Sequence, residues 1–198
     1  MKKFSIILFF LVTSMAGFGQ IKFGPVIDLG MGFYSNTSDS IKLKPGINPS
    51  FGICLQKDMN FWLALRLSGN YSFKTLSTAK EVGGAEDKMN GQFFDLGLSG
   101  RFSGFDDDVK TLPYGTAGTG LLFTVVSKGQ EHYMKQCVYN TAIPYFTVGA
   151  GAGFKISFFS EFDLSLNYTR YLFPMFSTPL DNKDARLNQV SLKVAALF

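Results

Sequence analysis

The stretch VSLKVAALF, residues 190–198, decides the fold. Read at period two, Val190, Leu192, Val194, Ala196 and Phe198 fall on one face, and Gln189, Ser191, Lys193 and Ala195 on the other. That alternation is the pattern of a β-strand with two different environments on its two sides. Terminal residues fray unless something ties them down, so a strand that runs to the last residue needs a partner along each edge. A closed barrel supplies two neighbours to every strand. The tail therefore predicts a barrel, and the rest of the chain must supply the other strands.

Seven further segments fit. Ile21, Phe23, Pro25, Ile27, Leu29, Met31 and Phe33 share a face against Lys22, Gly24, Asp28, Gly30 and Gly32. Residues 47–55, 61–73, 94–102, 146–156 and 162–169 alternate in the same way, and only 112–126 is apolar or small on both faces. The count is eight, and even numbers of antiparallel strands suit a barrel. Long polar connections at about 35–45, 75–90, 128–141 and 174–186 alternate with shorter ones at 57–60, 103–111 and 158–161. Long loops on one rim and short turns on the other are the habit of membrane barrels. Pro25, Pro49, Pro113 and Pro144 sit near strand starts, where a missing ladder donor does least harm.

The composition agrees. The chain has 198 residues, which suits one domain, with 22 Phe, 8 Tyr, 21 Gly, one His and only 17% charged residues. Lys2 and Lys3 precede an apolar run from Phe4 to Phe18, and Gly17 and Gly19 supply small residues for a cut after Gly19. Residues 1–19 are thus expected to be a signal peptide and 20–198 the barrel domain. Removing Lys2 and Lys3 takes the formal charge from +4 to +2, and no basic cluster remains to bind nucleic acid. After residue 20 no apolar run is long enough for a membrane helix.

Charge placement separates a membrane barrel from a soluble one. The apolar face is free of Asp, Glu, Lys and Arg at its centre, whereas the other face carries Asp28, Arg66, Asp95, Arg101, Lys155, Asp163 and Lys193. A Lys or Arg facing lipid at the midplane costs about 2–4 kcal/mol, so a lipid-facing band must exclude them. Aromatic residues gather at both ends of the apolar face: Phe61, Trp62, Phe158, Phe162 and Phe198 beside the short turns, and Phe33, Tyr71, Phe73, Phe94, Phe146 and Tyr168 beside the long loops. These read as two interfacial girdles. The seven charged residues then face a narrow lumen, where they must pair to offset desolvation, and an internal salt-bridge network is expected. In the soluble alternative, a ligand carrier, the apolar face would instead line a cavity.

The signal peptide, the eight alternating segments, the loop rhythm and the terminal Phe198 resemble the small OmpA/OmpX-like outer-membrane β-barrels of Gram-negative bacteria. The Gly-rich stretch VGAGAGFKI and the turn FFSEF leading into DLSLNY look most like the family that includes the PorT proteins of Bacteroidota. The resemblance implies an all-β, eight-stranded antiparallel transmembrane barrel in the outer membrane, surrounded by lipid and lipopolysaccharide. It implies Phe198 as the signal read by the barrel-assembly machinery, an envelope protein as partner, and an accessory role in protein secretion. Unlike OmpA proteins, the sequence carries no segment after Phe198, and peptidoglycan anchoring is not expected.

Catalysis is not expected. Lipid A-modifying barrels of this size carry a Ser/His/acid group, and the one histidine here is His132, near Ser127 and Glu131. The resembling deacylases have a serine two residues after the histidine; here that position is Met134. In an extended segment the adjacent Glu131 points away from His132, so nothing orients the base. Neither cofactor nor metal is expected, since one His with Cys54 and Cys137 is no ligand set. Cys54 and Cys137 are expected at opposite ends of the barrel, too far apart for a disulfide. GGAEDK at 83–88 lacks the spacing of a phosphate loop, and Asp106, Asp107 and Asp108 lack that of a calcium loop.

Overall fold

The computed structural model describes residues 21–35, 43–60, 62–78, 88–103, 110–129, 140–157, 160–175 and 185–198. Its long strands are β1 (Ile21–Ser35), β2 (Gly46–Asp58), β3 (Leu63–Thr78), β4 (Lys88–Ser103), β5 (Thr111–Gly129), β6 (Ala142–Ser157), β7 (Ser160–Tyr171) and β8 (Arg186–Leu197). A two-residue piece, Leu43–Lys44, precedes β2 across Pro45 and pairs with the outer end of β3. Each strand is antiparallel to its neighbours in the chain. β1 also pairs with β8, from Val26 opposite Ala195 to Ser35 opposite Arg186, which closes the barrel.

The apolar face points outward. Ile27 and Ile53 are each 64% exposed and Leu166 58%, while their lumen-facing neighbours Val26, Cys54 and Asn167 are buried. This overturns the carrier alternative, which needs those side chains inside. The outer surface carries Phe23, Trp62, Phe102, Phe154, Phe162 and Phe198 toward the short turns, and Phe33, Phe51, Phe73, Phe94 and Phe146 toward the long connections. Phe61 and Phe158 lie outside the described residues.

The strands overrun the lengths legible in sequence. β3 continues through Lys74 to Thr78, β2 includes Asp58, and β7 begins at Ser160 and so includes Glu161. Asp58 and Glu161, expected in turns, therefore belong to the wall. β5 is 19 residues long, about 60 Å of strand, which at a tilt of about 40° spans about 45 Å against an apolar band about 25 Å tall. Its stretch Val126–Gly129 pairs with β4 beyond Ala142, where β6 begins. The outer side of β3, β4 and β5 is thus a raised sheet.

The ambiguous segment 112–126 resolves as β5, with Leu112, Tyr114 and Leu122 buried inside and Pro113, Ala117 and Leu121 outside. Inward glycines on β5 and β6 make room for each other's large side chains. A Cβ on Gly120 would strike the Tyr145 ring, and one on Gly151 would meet Tyr114 Cζ at 2.7 Å.

Candidate functional site: the lumen and its two ends

At the inner end, the lumen holds a connected ionic network. Lys22 reaches Asp58 at 3.2 Å and Glu161 at 3.3 Å, and Glu161 also pairs with Arg101 at 2.5 Å. Arg66 pairs with Asp163 and donates from Nε to Gln56 Oε1 at 2.7 Å, while Gln56 donates to Asp58 at 2.7 Å. The Tyr114 ring lies against both guanidiniums, 4.3 Å from Arg101 and 5.2 Å from Arg66. Charges this deep persist because each faces an opposite charge, a hydrogen-bond partner or a ring face. Beside them Val26, Cys54, Ala195 and Leu197 form a small apolar cluster.

Of the seven expected lumen charges, the structure brings Arg66, Arg101 and Asp163 into this network. Lys155 stands at the inner rim opposite Glu161 in the β6–β7 register. The other three lie higher. Asp28 is directly across from Lys193 between β1 and β8, and Asp95 accepts the Tyr145 hydroxyl at 2.5 Å.

Asp28, Asp95 and Lys193 line a polar cavity of about 50 Å³ together with Asn48, Asn70 and Lys74. Asp28 Oδ1, Asn48 Oδ1, Asn70 Oδ1 and Ser72 Oγ are buried without a hydrogen-bond partner among the described residues. A cavity of this size with a polar wall suits water, which needs only about 10–15 Å³ per molecule. Lys74 spans its upper side, donating to Gln189 Oε1 at 2.9 Å and lying 5.2 Å from the Tyr171 ring.

Above the cavity the lumen turns apolar. Phe93, Leu122, Ile143, Tyr145, Tyr171, Met175 and Leu187 pack together, with Tyr34 and Leu43 against them. Asp58, Lys74 and Glu161 lie beyond the segments read from the sequence, and Lys22, already placed on the polar face of the first segment, joins them. All four keep the inward parity of their strands, so period two carried to the strand ends would have found the other three.

Phe198 lies exposed at the inner rim, and its backbone is hydrogen-bonded to Phe23. Cys54 is buried and unbridged; Cys137 lies outside the described residues. So do the signal segment 1–19, His132, Glu131, Met134, residues 83–87 and Asp106, Asp107 and Asp108. Ser127 is part of β5. Among the described residues no group of His, Cys, Asp and Glu could hold a metal ion.

A family model for the outer membrane protein beta-barrel domain matches residues 4–198. No curated protein matches the sequence. Among solved structures, Neisserial surface protein A is 15% identical, with a TM-score of 0.53 over 89% of this chain and 97% of that one. Outer membrane protein OprG from Pseudomonas aeruginosa is 10% identical, with a TM-score of 0.56 over 89% of this chain and 91% of that one. At these identities the likeness is one of fold. With the whole barrel inside the family match and its apolar face turned outward, the chain belongs to the outer membrane protein β-barrel domain family, and its place is the outer membrane of a Gram-negative bacterium.

Proposed function

We propose that the protein is a non-enzymatic outer-membrane barrel that holds up a binding surface, its outer rim and loops engaging another envelope protein. One observation carries this reading: the lumen is occupied by paired charges below and packed apolar side chains above, while the strands continue far past the apolar band on the outer side. An interior spent on packing serves the wall, and recognition falls to the connections the wall positions. Insertion is by the barrel-assembly machinery, with Phe198 as its signal, and lipid and lipopolysaccharide surround the inserted barrel. The PorT-like look of VGAGAGFKI and FFSEF supports a finer version, in which the partner belongs to a protein-secretion assembly.

The test is affinity purification of the protein from cross-linked outer membranes, alongside a form whose 130–139 connection is replaced by a short Gly-Ser linker. A stoichiometric partner held by the natural chain and lost with the linker is the expected result. Secreted proteins stalled in a deletion strain would place that partner in secretion. Lipid A altered by deletion and restored by the natural chain but not by His132→Ala would replace this reading with an enzymatic one. Discrete conductance steps in a planar bilayer would replace it with a pore.

A further inference from the structure

The outward face of the barrel carries an arginine pair that the lumen does not use. Arg170 is exposed on the lipid-facing side of β7, one residue before the outer end of that strand. Its cross-strand neighbours are Phe146 on β6 and Asn188 on β8, and Asn188 in turn faces Phe33 on β1. A guanidinium thus sits in the upper aromatic girdle. Arg186 occupies the same face of β8, two residues farther out, which puts the two residues in a diagonal relation at about 7–8 Å, within reach of long side chains.

The surroundings make this more than a stray surface charge. Arg186 Nε is buried and lacks a hydrogen-bond partner among the described residues, and neither arginine has a carboxylate partner among them. The polar groups beside the pair are already organised: the Tyr168 hydroxyl donates to Asn188 Oδ1 at 3.0 Å, and Asn188 Nδ2 donates to Ser35 Oγ at 3.2 Å. One rung inward the same face is Val148, Tyr168, Val190 and Met31, and below that it is wholly apolar. Two guanidiniums at the edge of hydrocarbon are desolvated on one side and call for an anion at that depth. The outer ends of β7 and β8 meet the leaflet whose head groups are the phosphorylated sugars of lipopolysaccharide. Guanidinium matches phosphate oxygens in bidentate geometry.

We propose that Arg170 and Arg186, with Asn188 beside them, seat a phosphate of the lipopolysaccharide head group against the β7–β8 face. This site is separate from the loop surface assigned to a protein partner, and it rests only on the membrane placement of the barrel. It fixes one lipid in one orientation on an otherwise uniform wall.

The experiment is native mass spectrometry of the full barrel, folded in detergent and titrated with diphosphoryl lipid A, with the same lipid A after phosphatase treatment, and with inorganic phosphate. Diphosphoryl lipid A is expected to bind about tenfold or more tightly than the dephosphorylated lipid, the scale of one or two charge-assisted hydrogen bonds. An Arg170→Gln/Arg186→Gln double variant should bring the two lipids to equal binding, while Arg170→Lys/Arg186→Lys keeps part of the preference. Heat-modifiable gel mobility reports that each variant is folded. Equal binding of both lipids by the natural chain overturns the proposal, as does an unchanged preference in the Gln variant. Inorganic phosphate binding as tightly as lipid A also overturns it, by assigning the seat to a free anion.

Discussion

Phe23 and Phe198 exchange backbone hydrogen bonds, 3.0 Å from the Phe23 N–H to the Phe198 carbonyl and 2.9 Å in the reverse direction. They extend the β1–β8 seam to the last residue. Their rings both point outward, Phe23 being 63% exposed and Phe198 60%. The backbone of Phe198 therefore serves the seam, while its ring is free to serve something outside the barrel.

That division gives a clean expectation. Phe198→Ala keeps the backbone pair and loses the ring, so refolding into detergent should proceed as for the natural chain. In cells, the heat-modifiable fraction in the outer membrane should fall if the ring is the assembly signal. Equal losses in both assays would mean that the ring matters only to stability.

The ion pair of Arg66 and Asp163 is almost fully buried, with side-chain exposures of 9% and 3%. Asp163→Ala strands the arginine and should destabilise the barrel by about 3–5 kcal/mol. Arg66→Met/Asp163→Leu removes both charges and should recover most of that loss. Urea unfolding of the refolded barrel in lipid, followed by gel mobility, measures both.

Ala150 and Gly151 are neighbours on opposite faces of β6. Gly151→Leu drives a side chain into Tyr114 and should cost about 1–3 kcal/mol or more through overpacking. Ala150→Leu adds apolar surface on the lipid side and should be neutral or better. Leu166→Arg, placing a charge in the middle of the apolar face, should cost about 2–4 kcal/mol. The same unfolding assay ranks all three.

Trp62 is the one tryptophan, 44% exposed and stacked on Phe102 with ring centroids 6.3 Å apart. Its place in the inner girdle predicts strong quenching by lipids brominated close to the head group and weak quenching by lipids brominated at the chain ends. The opposite order would move the membrane boundary.

The middle of the outward face was legible in the sequence because lipid imposes one rule there, which Ile27, Ile53, Leu166 and Leu192 obey; Arg170 and Arg186 stand at its outer edge. The lumen imposes several. In β5 the inward positions include Tyr114, which lies against two guanidiniums, and Leu122, which packs in the upper cluster, so polarity does not alternate there. Parity with Leu98 and Phe102 puts Phe94 outward, as read, and Phe93 inward, whereas the register shift between Gln92 and Phe93, which leaves Val125 of β5 without a residue opposite it, has no signal in the sequence. Period two assigned Arg66 and Asp163 to the lumen, but not to each other. They are separated by 97 positions in the chain, and which rungs meet across a lumen depends on the stagger of the whole barrel.

The raised sheet of β3, β4 and β5 gives a round object a front. The connection after β3 and the connection after β5 both leave from it, whereas β6 begins lower, opposite Phe123. An antibody, a phage or a neighbouring cell approaching from outside meets a shoulder of ordered backbone on one side and a lower wall on the other. Orientation about the membrane normal, which a symmetric cylinder lacks, is thereby built into the strand lengths themselves.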